Sequence, residues 1–202
     1  MERRVFLARA ASAAILLGAL PAQAAIPPDA AESFIATLGG EAIGSLTGAS
    51  VTEAEREARF RSLLQAHFDM PGISKFVLDR YWKLASEPQH GEFQKLFETL
   101  LVQSYAKAFA RYAGNTLQVT NSWAEADGST MVGTHIDGLR GSQIRLDWRV
   151  AGQASAMRVI DLVVEGISLR ATHRSDFTSA MESNGATFAG LLDLLRQKVA
   201  GA

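Results

Sequence analysis

Residues 157–198 read MRVIDLVVEGISLRATHRSDFTSAMESNGATFAGLLDLLRQK, and the opening of this stretch decides the fold. In a strand, Val159 and Val163 share one side with Asp161, while Ile160, Leu162 and Val164 share the other. A strand apolar on both sides is ordinary in a parallel sheet and less so in an antiparallel one. The residues before it carry hairpin signals rather than crossovers, so something must cover or fill the second face. Gly166 breaks the run, and a helical pattern follows from about Asp176, with Ser175 as its cap.

Working backwards, Gln143 to Val150 is a strand of clear alternation. Ile144, Leu146, Trp148 and Val150 take one face, and Arg145, Asp147 and Arg149 the other. Ala151-Gly152-Gln153 is expected to turn the chain into the strand that follows. Met131 to Asp137 is another strand, bounded by hairpin signals at Asp127-Gly128 and at Asp137-Gly138 with Gly141. Leu117 and Val119 open the first strand. Four successive antiparallel strands are expected.

The half before them reads as helices. Asp29 is expected to cap a helix towards Leu46, with Gly39-Gly40 in its middle. Thr52 with Glu55, and Ser86 with Gln89, have the spacing of capping boxes, in which each side chain satisfies a free backbone N–H of the other. Asp69 precedes Met70-Pro71, a short-helix start. Phe93, Phe97, Leu101, Tyr105 and Phe109 recur every four residues, which predicts one helix from Glu87 to Ala113 ending at Gly114-Asn115. The result is an α+β domain: a helical N-terminal half packed on one face of a curved, mainly antiparallel four-stranded sheet, with a helical C-terminus.

The chain's 202 residues suit a single domain with a full core. There is no cysteine, which excludes disulfides, thiolate metal sites and cysteine nucleophiles. Residues 1–24 read as an export signal. Arg3 and Arg4 form its basic start, Ala10 to Leu20 an apolar run, and Ala22-Gln23-Ala24 a cleavage site. Arg3-Arg4-Val5-Phe6-Leu7 has the form of a twin-arginine signal. Residues 1–24 hold three arginines and one glutamate, so their removal takes the formal charge from −1 to −3. That is no footprint for nucleic acid. The sequence therefore predicts one domain over 25–202, exported and without a membrane span.

Searches for chemistry return structural answers. His67, His90, His135 and His173 lack metal-ligand spacing, so no metal site is expected. His173, Ser175 and Asp176 are neighbours in sequence, but a triad is recognised by geometry. Gly166-Ile167-Ser168 lacks the second glycine of a nucleophile elbow. What remains is apolar surface in an exported protein. A long cavity between sheet and helices would occupy the spare strand face and suit an acyl chain. At roughly 0.8 kcal/mol per buried CH₂, a sixteen-carbon chain gains about 13 kcal/mol gross.

Two segments carry a family likeness. In residues 60–112 the elements are Phe68-Asp69, Ile73, Leu78, Tyr81-Trp82, Gln89, Phe93, Leu100-Leu101, Tyr105-Ala106 and Tyr112. In the stretch quoted first they are Asp161, Glu165-Gly166-Ile167-Ser168-Leu169, Arg174-Ser175, Phe177 and Gly185 before a Leu-rich end. In order and spacing these resemble the MlaC/toluene-tolerance (Ttg2-type) family of periplasmic phospholipid-binding proteins. Met157 stands where that family usually has Trp, Asp79 where it has Gly, and His173 where it has Tyr.

The resemblance implies a periplasmic shuttle without catalysis or cofactor. It would carry phospholipid between an outer-membrane lipoprotein complex and an inner-membrane ABC transporter complex, and so maintain outer-membrane lipid asymmetry. Acyl chains would lie in an apolar pocket with the head group in solvent, and a monomer suffices. The expected pocket wall is Phe76, Trp82, Phe97, Leu101 and Tyr105 from helices, with Leu146, Trp148, Met157, Val159 and Val163 from strands. Periodicity leaves open which face of each strand meets the ligand. A related branch of the family is associated with hopanoids; the shorter Gly166-to-Arg174 spacing favours the phospholipid branch. Two rivals remain: a small exported enzyme using Asp137 and His135 as acid and base in an apolar pocket, and an adaptor that docks through an apolar groove.

Overall fold

The helical half starts where proline permits it. The computed structural model describes residues 26–112, 115–137, 142–183, 185 and 187–201. The export segment 1–24, the stop at Gly114 and the turn at Gly138 and Gly141 lie outside the described residues. Helix α1 (Pro28–Leu46) has Pro28 in its first turn, where a missing N–H is no loss. Asp29, expected as the cap, sits within that first turn and makes no capping bond; Pro27 holds the cap position. The helix runs unbroken through Gly39-Gly40. A Cβ on Gly39 would come within 2.5 Å of the Leu117 side chain, so the bare glycine lets α1 lie against the sheet.

Both capping boxes form. Glu55 N–H donates to Thr52 Oγ1 at 3.2 Å at the start of α2 (Glu53–His67). Ser86 N–H donates to Gln89 Oε1 at 2.9 Å at the start of α4 (Glu87–Tyr105). Between them, Gly72 N–H donates to Asp69 Oδ1 at 3.0 Å and opens α3 (Met70–Leu78), which runs on into a 3₁₀ turn over Asp79–Leu84. The single helix expected from Glu87 to Ala113 is not continuous. After Tyr105 it tightens into a 3₁₀ turn over Ala106–Tyr112. Three residues per turn swing Phe109 out of line with Tyr105 and against Phe60 of α2, with ring centroids 5.3 Å apart.

The sheet is β1 (Leu117–Ala124), β2 (Thr130–Asp137), β3 (Gln143–Gln153), β4 (Ala156–Val164) and the short β5 (Ile167–Ser168), all antiparallel and in chain order. There are thus five strands, one more than expected. β3 continues through Ala151-Gly152-Gln153, because Gln153 pairs with Ala156 and the turn falls between them. Val164 pairs with Ile167 around Glu165 and Gly166, whose φ values of 50° and 83° give the primed turn that suits right-twisted strands.

One irregularity corrects the reading of β4. Arg149 pairs with Asp161 but Val150 pairs with Val159, so Ile160 is an extra residue in a bulge. The strict alternation fails there. Val159, Leu162 and Val164 all share the face of Val150, Trp148 and Leu146, while Asp161 and Val163 turn to the other side. Past the bulge, Asp161 ties down the next element. Ser168 Oγ donates to Asp161 Oδ2 at 2.6 Å and the Arg170 N–H to Oδ1 at 3.2 Å, while Ser168 Oγ accepts from the Ala171 N–H at 3.1 Å. Helix α5 (Leu169–Ser183) therefore begins well before Asp176, with Ser168 rather than Ser175 at its start. Thr187 caps α6 (Phe188–Ala200).

Ala31, Ile35 and Leu38 of α1 pack on Val132, Val150 and Val159 of the sheet. A second core joins α3, α4, α5 and α6 around Phe93, Phe97, Phe177 and Phe188. Phe68 touches both, and the adjacent Asp69 N–H donates to Val159 O at 3.0 Å, locking the chain after α2 to the start of β4. Among the described residues no helix is long and apolar enough to cross a membrane.

Candidate functional site

The helices cover the inner face of the sheet without filling the space against it. A cavity of about 440 Å³ lies between them. Ile136 of β2, Ile144, Leu146 and Trp148 of β3, and Leu162 and Val164 of β4 form its sheet side. The register explains the grouping, since Leu146 pairs with Val164 and Trp148 with Leu162. Ala42 and Ile43 of α1, Phe60 and Leu63 of α2, and Met70 and Ile73 of α3 form much of the helical side. Phe97, Leu101 and Tyr105 of α4 join it, on one stripe because they recur every four residues, and Leu169, Arg170 and His173 of α5 border it.

The wall carries few polar groups, and each is engaged. Trp148 Nε1 donates to Thr134 Oγ1 at 3.0 Å, and that hydroxyl donates to Leu146 O at 2.8 Å. Asp161 is held by Ser168 and by Arg170, whose Nε lies 3.4 Å from its Oδ2. Burial holds the Arg170 guanidinium below the usual arginine range, against the pull of Asp161. Tyr105 Oη and His173 Nε2 are 3.4 Å apart. Burial pushes the tyrosine up and, against the pull of Asp176, the histidine down, so the pair favours its neutral form in an apolar wall.

Of the ten residues expected in the wall, the structure brings Phe97, Leu101, Tyr105, Leu146 and Trp148 together around the cavity. The other five lie elsewhere, each for a local reason. The Phe76 ring lies under the guanidinium groups of Arg170 and Arg174, at 4.3 and 5.3 Å. Trp82 stacks on His90 at 3.8 Å, and His90 Nε2 lies 2.9 Å from Trp82 O. Val159 and Met157 pack under α1 in the core around Ile35, and Val163 is turned away by the bulge. Met157 thus contributes to this core and not to the cavity.

Ile144 was within reach of sequence reasoning, because it shares a face with Leu146 and Trp148; Ile136 joins it through the register that pairs the two. Leu162 and Val164 were not within reach, since only the bulge places them there. His135 and Asp137, the acid and base of the enzyme reading, flank Ile136 in β2 and alternate away from the cavity. Among the described residues no group of three His, Cys, Asp or Glu side chains could hold a metal ion.

Three comparisons bear on the chain. The family model described as MlaC protein matches residues 42–197. The toluene tolerance protein ttg2D of Pseudomonas putida is 27% identical over 135 residues, which cover 66% of this chain and 63% of that protein. The match therefore spans less than two thirds of the relative's length. A phospholipid-binding protein from Ralstonia solanacearum, solved in complex with a phospholipid, superposes with a TM-score of 0.76 at 21% identity, covering 85% of this chain and 97% of that one. At that identity the likeness is one of fold.

Proposed function

Because the chain belongs to the MlaC family, we propose that it is a periplasmic phospholipid carrier of an Mla-type system. It takes phospholipid between an outer-membrane lipoprotein complex and an inner-membrane ABC transporter complex, works as a monomer without a cofactor, and so maintains outer-membrane lipid asymmetry. One observation carries the reading: the 440 Å³ apolar cavity between the helices and the inner face of the sheet. Pockets of this size and lining are where apolar ligands lose most of their exposed surface. The polar groups of the wall are paired with one another, which suits holding a chain better than attacking one. The cargo named for the Ralstonia solanacearum protein of the same fold points to the same ligand.

The test is solvent extraction of the purified mature protein followed by lipid mass spectrometry. The expected result is stoichiometric phospholipid. Hopanoid in its place moves the protein to the related lipid-carrying branch. Protein that purifies empty and takes up nothing from phospholipid vesicles overturns the carrier reading.

A further inference from the structure

A second hollow of about 200 Å³ lies between α4, α5 and α6. Its apolar lining includes Leu100, Phe177, Leu191 and Leu195, and Ser104, Asp176 and Lys198 also border it. This hollow and the main cavity have one lining residue in common, His173. On the side of the main cavity the imidazole meets Phe97 edge-on, with centroids 5.3 Å apart, and bonds Tyr105. On the other side it meets Phe177, at 6.3 Å. The His173 ring therefore borders both the apolar main cavity and a smaller hollow of mixed lining, and the bond to Tyr105 with the contact to Phe97 fixes it there.

We infer that His173 is the partition that limits how long an acyl chain this protein accepts, closing the main cavity against a hollow that would otherwise take the chain's far end. This rests on the carrier reading and goes beyond it, by assigning chain-length selection to one side chain. The apolar part of the hollow's lining, Leu100, Phe177, Leu191 and Leu195, fits a terminal hydrocarbon segment, while Ser104, Asp176 and Lys198 border it and no head group needs to enter it. His173→Ala would join the two spaces. His173→Phe would keep a ring in place and preserve the barrier, although the bond to Tyr105 is lost.

The experiment loads lipid-stripped wild type, H173A and H173F from vesicles of phosphatidylcholines graded in chain length, and reads bound species by native mass spectrometry. In H173A the preferred chain should lengthen, with roughly a tenfold gain for each two methylenes admitted; H173F should keep the wild-type profile. A folded, loaded H173A with an unmoved profile overturns the partition and leaves the carrier reading intact. Failure of the wild type to take up any member overturns both. Where H173A does not fold, H173V goes through the same series. A phospholipid spin-labelled at its chain terminus gives a second readout. It should broaden the methyl signals of Leu191 and Leu195 much more strongly in the small-side-chain variant than in the wild type, and equal broadening in both overturns the inference.

Discussion

The ring cluster around Phe93, at the meeting of α4, α5 and α6, and the space between the helices and the sheet are walled by the same kinds of residue, yet the first is filled by its own side chains and the second is hollow. In the first, Phe93 is fully buried, with Phe97, Phe177 and Phe188 at centroid distances of 5.6, 5.2 and 6.2 Å. In the second, Leu146, Trp148 and Leu162 face a void across from Leu63 and Leu101. Side chains that line a void forgo the dispersion contacts that a filled core supplies. The difference teaches that apolar character measures only the drive to leave water. Whether protein or ligand completes the contact is a matter of shape.

Truncation should separate the two regions most sharply. Phe93→Ala leaves a hole in solid packing and should cost about 3–5 kcal/mol. Leu146→Ala enlarges a space that already exists and should cost less than about 2 kcal/mol. Denaturant unfolding of both variants measures this, and equal losses would break the comparison. Charge sharpens it next. Leu146→Arg should reduce retained lipid at least tenfold with the helical circular dichroism preserved, since an unpaired charge is poorly tolerated in an apolar wall. Val163→Arg, on the opposite face of β4, should leave retention unchanged.

A smaller effect comes from the junction of α3 and α5. Asp79 has a φ of 46°, which glycine adopts freely and aspartate does not, and its carboxylate lies 2.6 Å from Arg174. Both partners are well exposed, at 42% and 48% of their side-chain surface, so the ion pair is worth little. Relief of backbone strain should then win, and Asp79→Gly should stabilise the fold by about 1 kcal/mol in a thermal melt.

The last prediction concerns pH. Burial holds His173 below its ordinary value of 6.5 despite the pull of Asp176, so at mild acid the unfolded chain binds a proton that the folded one resists. Its contribution to stability is present above about pH 6.5 and is lost as the pH falls below that value towards the depressed folded pKa. Wild type should therefore lose more stability than H173F over that range, and parallel pH profiles would contradict it.

Features whose partners lie close in the chain were legible beforehand. Thr52 with Glu55 and Ser86 with Gln89 each settle a helix start within three residues, and both form; the short-helix start after Asp69 forms too, where the structure adds the bond from Gly72 N–H. The alternation in β3 likewise put Ile144, Leu146 and Trp148 on one face, and the structure turns that face to the cavity. The start of α5 was missed because Ser168 and Arg170 are organised by Asp161 of the preceding strand. Phe76 and Trp82 have the right character for the wall, but Arg170 and His90 claim their faces. No helical period records which neighbour a ring will meet.

By itself the sequence determined the order of the helices and of four strands, the caps at Thr52, Asp69 and Ser86, the α+β class and the family likeness, because short-range hydrogen bonds and side-chain periods are written locally. Only the tertiary structure decided which apolar residues face the cavity. The extra residue at Ile160 reverses the sense of alternation within β4, and it can be located only once the partner strand supplies the register. The face of β4 that had looked superfluous belongs, past the bulge, to Asp161 and Val163, and the void lies on the face it shares with Leu146 and Trp148.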